Sequence, residues 1–322
     1  MTQAEACGKH GGVVAKVRAV AIGGGTGLSV LLRGLKRTGC DIAAVVTVGD
    51  DGGSSGRIRR ELGLLPPGDF RSCIAALAVD EDLMTQLLQY RFGDGSLGGH
   101  ALGNLVLAAM AALCGSFEGA VGELGRILKI RGRILPSTLE SVTVCAEVQG
   151  AGSGAGNRAI RGESRVGEAG PGIRRVFLEP ESPPAYPEAV AALLAADLIV
   201  LGPGSLYTSV LPNLLVPGVR EAVRASRALK VYVCNIATQP GETDGMTVEA
   251  HAAAIEENAG PGLFHYVLAN SHWLPSQGVD FVRRDPVQAG RFPVVEADLL
   301  DRERPWRHDS RKLCAALLAL MG

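Results

Sequence analysis

A chain of 322 residues, 47% of them apolar and 20% charged, is globular and long enough to bury the core of one large α/β unit or two smaller ones. Its net charge of −1 gives no electrostatic footprint for DNA or a membrane surface, and 4% aromatic residues leave few platforms for stacking single-stranded nucleic acid. The seven cysteines are scattered without a Cys-x-x-Cys pair, no apolar run is long enough to span a bilayer, and Met1–Lys16 lacks an apolar leader core, so a cytoplasmic protein is expected.

In chain order, Met1–Lys16 reads as a flexible tail before a single α/β domain over 17–322. The apolar run Val17–Ile22 is a strand, and it empties into Gly23-Gly24-Gly25-Thr26-Gly27 before a helical pattern over Leu28–Arg37. Glycines let the backbone approach a ligand closely, and the following helix points free N–H groups and its positive end back at the loop. That geometry cradles an anion, most often a phosphate. The plainer reading is a tight turn, for which one glycine would suffice. The loop is neither a P-loop, because Gly27 is followed by Leu28-Ser29, nor a dinucleotide fingerprint, because the third glycine site is Val30.

Ile42–Val48 is a second strand that ends in Gly49-Asp50-Asp51-Gly52-Gly53-Ser54-Ser55-Gly56-Arg57. Asp50 and Asp51, joined by Asp69 of Pro66-Pro67-Gly68-Asp69-Phe70-Arg71, could hold Mg²⁺ beside a phosphate or accept hydrogen bonds from a ribose. Turn formation and helix capping are the structural alternatives for these acids. Helical patterns follow at Ile74–Ala78, Asp82–Tyr90, Leu102–Leu113 and Gly119–Leu128, a helical insertion over about 70–130. His100, in Gly99-His100-Ala101-Leu102-Gly103-Asn104, reads as an acid–base group or as a structural hydrogen-bond partner.

Strands over Ser141–Val148 and Arg158–Arg161 form a small hairpin over about 140–165, with the glycine-rich Gly150–Gly156 as its tip, and Arg174–Leu178 follows. A helix at Pro187–Ala195 precedes the continuously apolar strand Leu198–Leu201, which runs into Gly202-Pro203-Gly204-Ser205 as a second phosphate or sugar cradle. Next come a helix at Val219–Arg227, the strand Val231–Cys234, and Asn235–Gly245, whose Thr238, amides and carboxylates suit sugar hydroxyls. A helix at Val248–Glu257, the strand His265–Ala269 and a helix at Ser310–Met321 end the chain, with Arg307 just before it as a phosphate clamp and Asp309 as its cap. Alternating elements with strands apolar throughout predict a Rossmann-like, doubly wound, mostly parallel sheet with helices on both faces. Such sheets bind ligands beyond the carboxyl ends of their strands, at the point where strand order reverses. The histidines lack a zinc-binding His-Glu-x-x-His spacing.

These motifs closely resemble the CofD-like family, the 2-phospho-L-lactate transferase superfamily, and within it the gluconeogenesis-factor branch. The resemblance is carried by Gly23–Leu28, Thr47–Arg60, Pro66–Arg71, Gly99–Leu105, Leu135–Glu140, Gly162-Glu163-Ser164, Leu201–Val216, Thr238–Gly245 and Arg307-His308-Asp309. It implies a nucleoside-diphosphate pocket at Gly24, Gly25, Thr26, Gly27, Asp50, Asp51, Ser54, Asp69, Arg71, Asn104, Gly204, Ser205 and Arg307, to which the loop readings above add Ser55, Gly202 and Thr238 as candidate binding residues. It also implies a cytoplasmic regulator that binds a UDP-sugar, UDP-N-acetylglucosamine or UDP-glucose, and serves cell shape and wall synthesis on gluconeogenic carbon. The alternative it implies is a transferase joining a nucleotide-linked phospholactyl donor to a deazaflavin alcohol. It assigns no catalytic residue, names no protein partner, and is compatible with a homodimer. Two positions depart from the branch: Trp273-Leu274 stands where a tyrosine is common, and Met246 where an aromatic is common.

Overall fold

The computed structural model describes residues 16–79, 83–149, 158–169, 172–274 and 278–322. The expected tail up to residue 15, the hairpin tip Gly150–Gly156, Asp82 at the start of a predicted helix, and residues 275–277 lie outside them.

The chain begins with β1 (Arg18–Gly23), α1 (Gly25–Leu35) and β2 (Asp41–Val46). Five helices then run from β2 to β3 (Arg133–Pro136): α2 (Gly53–Leu62), α3 (Gly68–Leu77), α4 (Leu83–Gln89), α5 (Leu102–Cys114) and α6 (Phe117–Ile127). A second unit follows as β4 (Thr143–Val148), β5 (Arg158–Arg161), the one-turn helix α7 (Glu163–Val166) and β6 (Ile173–Glu179). The chain re-enters the first sheet through α8 (Pro187–Ala195) and β7 (Leu198–Leu201). A π-helical turn, Leu206–Val210, runs into α9 (Leu211–Leu214), then α10 (Pro217–Ala225) and β8 (Leu229–Val233). The last elements are α11 (Val248–Ala259), β9 (Tyr266–Asn270), β10 (Val294–Ala297) and α12 (Ser310–Ala319).

The main sheet has seven strands in the order β10-β9-β8-β7-β1-β2-β3, every neighbouring pair parallel. Strand order grows outward from β1 in one direction through β2 and β3. It grows in the other through β7, β8, β9 and β10. The reversal falls between β1 and β7, so their carboxyl ends flank the crevice where α/β sheets take ligands. Right-handed crossovers in opposite directions put the connecting helices on opposite faces. Accordingly α1 packs on α3 and α12, and α8 packs on α10. The central strands are fully buried, which explains their unbroken apolar sequences. β4, β5 and β6 form a separate antiparallel sheet in the order β5-β4-β6, so the expected hairpin gains a third strand. Among the described residues no single helix is long and apolar enough to cross a membrane.

Several elements differ from the pattern-based expectation. The predicted loop after β2 contains α2, because Gly53-Ser54-Ser55-Gly56 is small enough to bury one face with Ile58 as its main apolar anchor. The helical stretch therefore begins at Gly53 rather than near residue 70. α1 starts at Gly25, three glycine-loop residues before its apolar periodicity at Leu28. β3 and β10 are four-residue strands, too short for periodicity to mark.

Close helix contact also sets which glycines are required. A Cβ on Gly34 of α1 would fall on the Ser310 carbonyl and Cys314 sulfur of α12, whereas one on Gly122 of α6 would meet nothing within 4 Å. Gly34→Ala is expected to destabilise the fold by about 1–3 kcal/mol through overpacking. Gly122→Ala should stabilise it by about 0.5–1 kcal/mol through helix propensity. Urea unfolding of the two variants checks the contrast.

Candidate functional site

The first glycine loop lies where the sheet reverses. Gly24 is extended and caps α1 without a side chain, and the first turn of α1 carries no acid, so no side chain of the helix's own first turn offsets its positive end. Gly25 has φ +61, which glycine adopts without strain. Its N–H donates to the Asp69 carboxylate. Gly24 and Gly27 are required for a different reason. A Cβ on Gly24 would fall on Asp69, and one on Gly27 would fall on the Pro203 carbonyl of the second loop. The two glycine loops are therefore packed directly on each other. Asn213, fully buried on α9, ties them further by donating from Nδ2 to the carbonyls of Gly23 (3.1 Å) and Ser209 (2.7 Å).

The second loop is built differently. The buried Glu242 carboxylate accepts the N–H of Tyr207 at 2.8 Å, that of Thr208, and the hydroxyl of Ser205 at 3.0 Å. An internal carboxylate thus covers the start of the helical segment after β7. The Ser205 oxygen also accepts from Gln239 Nε2 at 2.6 Å, and Asn235 Oδ1 accepts the Gly204 N–H at 3.3 Å. Of the expected second phosphate or sugar cradle, Gly204 and Ser205 line the larger cavity, while Glu242 turns inward to the Tyr207 and Thr208 N–H groups.

Two cavities meet at Gly25 and Thr26. The larger, about 770 Å³, is lined by Gly24, Gly25, Thr26, Gly27, Gly204, Ser205, Thr238, Asp244, Asp280, Trp306 and Arg307, among others. The smaller, about 330 Å³, is lined by Gly25, Thr26, Asp50, Ser54, Ser55, Asp69, Arg71, Arg91 and Asn104 among others. Gly202 and Asp51 line neither. Thr238 is held by Asp280, its hydroxyl donating to the carboxylate at 3.1 Å.

Ser54 lines the smaller cavity, its oxygen accepting from Asn104 Nδ2 at 2.9 Å and lying within hydrogen-bond distance, 3.0 Å, of His100 Nδ1. His100 is the partner that ties α2 to α5. Ser55 accepts the Gly68 N–H at 3.1 Å. Asp51 turns away from the other acids: one oxygen accepts both the N–H and the hydroxyl of Ser164, at 3.0 and 2.8 Å. The expected Mg²⁺ set of Asp50, Asp51 and Asp69 therefore does not assemble, and the described residues contain no group of three or more metal-ligating side chains.

The C-terminal segment reaches the larger cavity as expected. Arg307 is half-buried on its wall, and Asp309 caps α12 by accepting from Arg311 and Lys312 N–H groups. His308 is buried with Nε2 3.1 Å from the Cys234 carbonyl. Arg283 stacks on Trp273 at 5.0 Å, and Leu274 packs on the core. Trp306, 51% exposed on the cavity wall, is the aromatic surface that remains there. Met246 packs its sulfur against the Tyr207 hydroxyl.

The comparisons with known proteins agree with this architecture. The family model described as 2-phospho-L-lactate transferase CofD matches residues 19–314. The chain belongs to the CofD family. It is 44% identical to the gluconeogenesis factor of Bacillus subtilis, over 95% of this chain and 98% of that protein. It is 48% identical to that of Halalkalibacterium halodurans, over 94% and 96%. A crystal structure of a UPF0052-family protein from Bacillus halodurans superposes with a TM-score of 0.88 at 42% identity, covering 94% of this chain and all of that one.

Two residues on or near this candidate site gave little signal in the sequence. Trp306 is marked only by preceding Arg307. Glu163 lies in a matched motif, but only the fold brings α7 against the acids of the β2 loop. Burial, and then Asp50, push the Asp69 carboxyl up to about 7. The same causes push Glu163 up to about 8, although the Thr208 hydroxyl bonds it.

These shifts fix a pH dependence. Each raised carboxyl binds a proton more tightly in the folded state, so its stabilisation is complete in acid and is lost as pH rises through 7 and 8. His251 and His308, lowered to about 4 by burial, act oppositely: their contribution is present above 6.5 and lost as pH falls. Below 6.5 the trends oppose each other, and above it the carboxyls act alone. The urea midpoint of the ligand-free protein is expected to fall from about pH 6.5 to 8, with Asp69→Asn flattening the fall. A flat or rising midpoint in the parent protein contradicts the burial of these acids.

Proposed function

We propose that this chain is a cytoplasmic UDP-sugar-binding regulator of the gluconeogenesis-factor type, serving cell shape and wall synthesis on gluconeogenic carbon. The observation that carries the reading is the N-terminus of α1, opening between two cavities at the strand-order reversal with Arg307 on the wall of the larger one. A diphosphate at Thr26 and Gly27 gains backbone donors, the helix dipole and a cation. The larger cavity then takes the uridine, with Trp306 as an apolar surface for the base and Asp244 and Asp280 as acceptors for ribose hydroxyls. The relatives named gluconeogenesis factors support the regulatory role.

The family model's description favours a second reading, a phospholactyl transferase, which needs the same diphosphate pocket. Turnover separates the two. Protein given guanylylated phospholactate, a deazaflavin alcohol and Mg²⁺ is expected to release no GMP, and multiple-turnover release selects the transferase.

Arg307 tests the diphosphate position. A hydrogen bond to a charged group contributes about 1.5–3 kcal/mol. Arg307→Ala should therefore weaken UDP-glucose or UDP-N-acetylglucosamine binding roughly ten- to a hundredfold. Thermal stability without ligand should change little, because this half-buried arginine makes no ion pair among the described residues. An unchanged dissociation constant by calorimetry removes Arg307 from the site.

A further inference from the structure

The nucleotide reading uses Trp306 and Arg307 and leaves their neighbour His308 without a role, although all three line the larger cavity. His308 is only 7% exposed, and its Nε2 lies 3.1 Å from the carbonyl oxygen of Cys234, the residue that follows β8. A carbonyl only accepts, so Nε2 carries the ring proton and donates it. Nδ1 of the same ring is then a lone pair, an acceptor for one hydrogen bond. Burial holds the imidazole down to about 4, so the ring is neutral and keeps this division of roles at neutral pH.

Among the described residues Nδ1 accepts no hydrogen bond, and the backbone on either side of the ring is pinned. The Asp301 N–H donates to the Arg307 carbonyl at 3.0 Å, the Asp309 N–H donates to the Leu299 carbonyl at 2.7 Å, and Leu300 pairs with His308 in an antiparallel bridge. A polar atom this deep is normally satisfied, so a fixed acceptor on a cavity wall calls for a donor from the ligand. A nucleoside diphosphate offers two kinds, ribose hydroxyls and the N–H of its base. Position separates them. Trp306 is half-exposed and marks the solvent side of the cavity, whereas His308 is on its inner wall. With the diphosphate at α1 and Arg307 and the base on Trp306, the part that crosses the inner wall is the ribose that joins them.

We propose that His308 Nδ1 accepts a hydrogen bond from a ribose hydroxyl of the bound nucleotide, and that it thereby selects the ribonucleotide over its deoxy analogues. The proposal rests on the UDP-sugar reading above. The carboxylates of the same cavity are each partly engaged by the protein: Asp244 accepts the Gly241 N–H at 2.7 Å, and Asp280 accepts the Thr238 hydroxyl at 3.1 Å. His308 differs from them in being an uncharged acceptor, so it takes a hydroxyl without placing negative charge near the diphosphate. A ligand that lacks the hydroxyl covers Nδ1 and leaves it unpaired, and a site built around a buried polar group rejects such a ligand more strongly than one that is merely a poor fit.

UDP, 2′-deoxy-UDP and 3′-deoxy-UDP are titrated by calorimetry at neutral pH with the parent protein and with His308→Gln. A glutamine amide nitrogen takes the place of Nε2 and keeps the donor to Cys234, but puts no acceptor where Nδ1 was. The parent is expected to bind UDP about tenfold tighter than one or both deoxy analogues. In His308→Gln that ratio should narrow about threefold or more. Because the constants compared come from one preparation, the ratio is insensitive to partial unfolding. A readout on the parent alone needs no variant: the Nδ1 nitrogen resonance of His308 should move upfield when UDP is added. Deoxy analogues that both bind the parent as tightly as UDP, a ratio unchanged in the variant, or an Nδ1 resonance unmoved by bound UDP overturns the role of His308 while leaving the nucleotide reading intact. Failure of UDP itself to bind overturns both.

Discussion

The structure depends on the close packing of two glycine loops across the β1–β7 junction. Gly27 has no room for a side chain against the Pro203 carbonyl, and Gly24 has none against Asp69. That contact fixes where α1 begins and leaves its first turn open beside the crevice. Asn213 reinforces it from α9, binding the carbonyls of Gly23 and Ser209 at once. Main-chain groups placed by packing are rigid and would need little reorganisation on binding a ligand.

The two loops look alike in sequence and differ in role. Both follow a buried strand with glycines and hydroxyls. After β1 the helix end meets one carboxylate, Asp69 at the Gly25 N–H, while after β7 Glu242 takes two N–H groups and the Ser205 hydroxyl. In the second loop these main-chain donors are held inside the protein by Glu242. Burial raises the Glu242 carboxyl above its ordinary range, and the N–H and hydroxyl donors around it act against that shift.

Most of the sheet was legible because its central strands are buried on both faces and read as unbroken apolar runs. The reversal point was legible as chemistry, since glycine loops followed both strands that flank it. Short or unusual elements were not. α2 starts with Gly-Ser-Ser-Gly and buries little apolar surface, and β3 and β10 are four residues long. Long-range partners were the least legible part of the site. Nothing in the adjacency of Asp50 and Asp51 indicates that Ser164 captures one of them, and nothing in Gln239–Gly245 indicates that Glu242 turns inward to Tyr207. Glu163 joins the acids only through α7, which follows the small antiparallel sheet's β5.

The central claim is that the α1 end, and not the segment after β7, meets the diphosphate. Backbone amide resonances followed during a UDP titration address it directly. The account predicts that the Thr26 and Gly27 amides shift most, while those of Tyr207 and Thr208, already bonded to Glu242, move little. Large shifts at Tyr207 and Thr208 with Thr26 and Gly27 unmoved would contradict it.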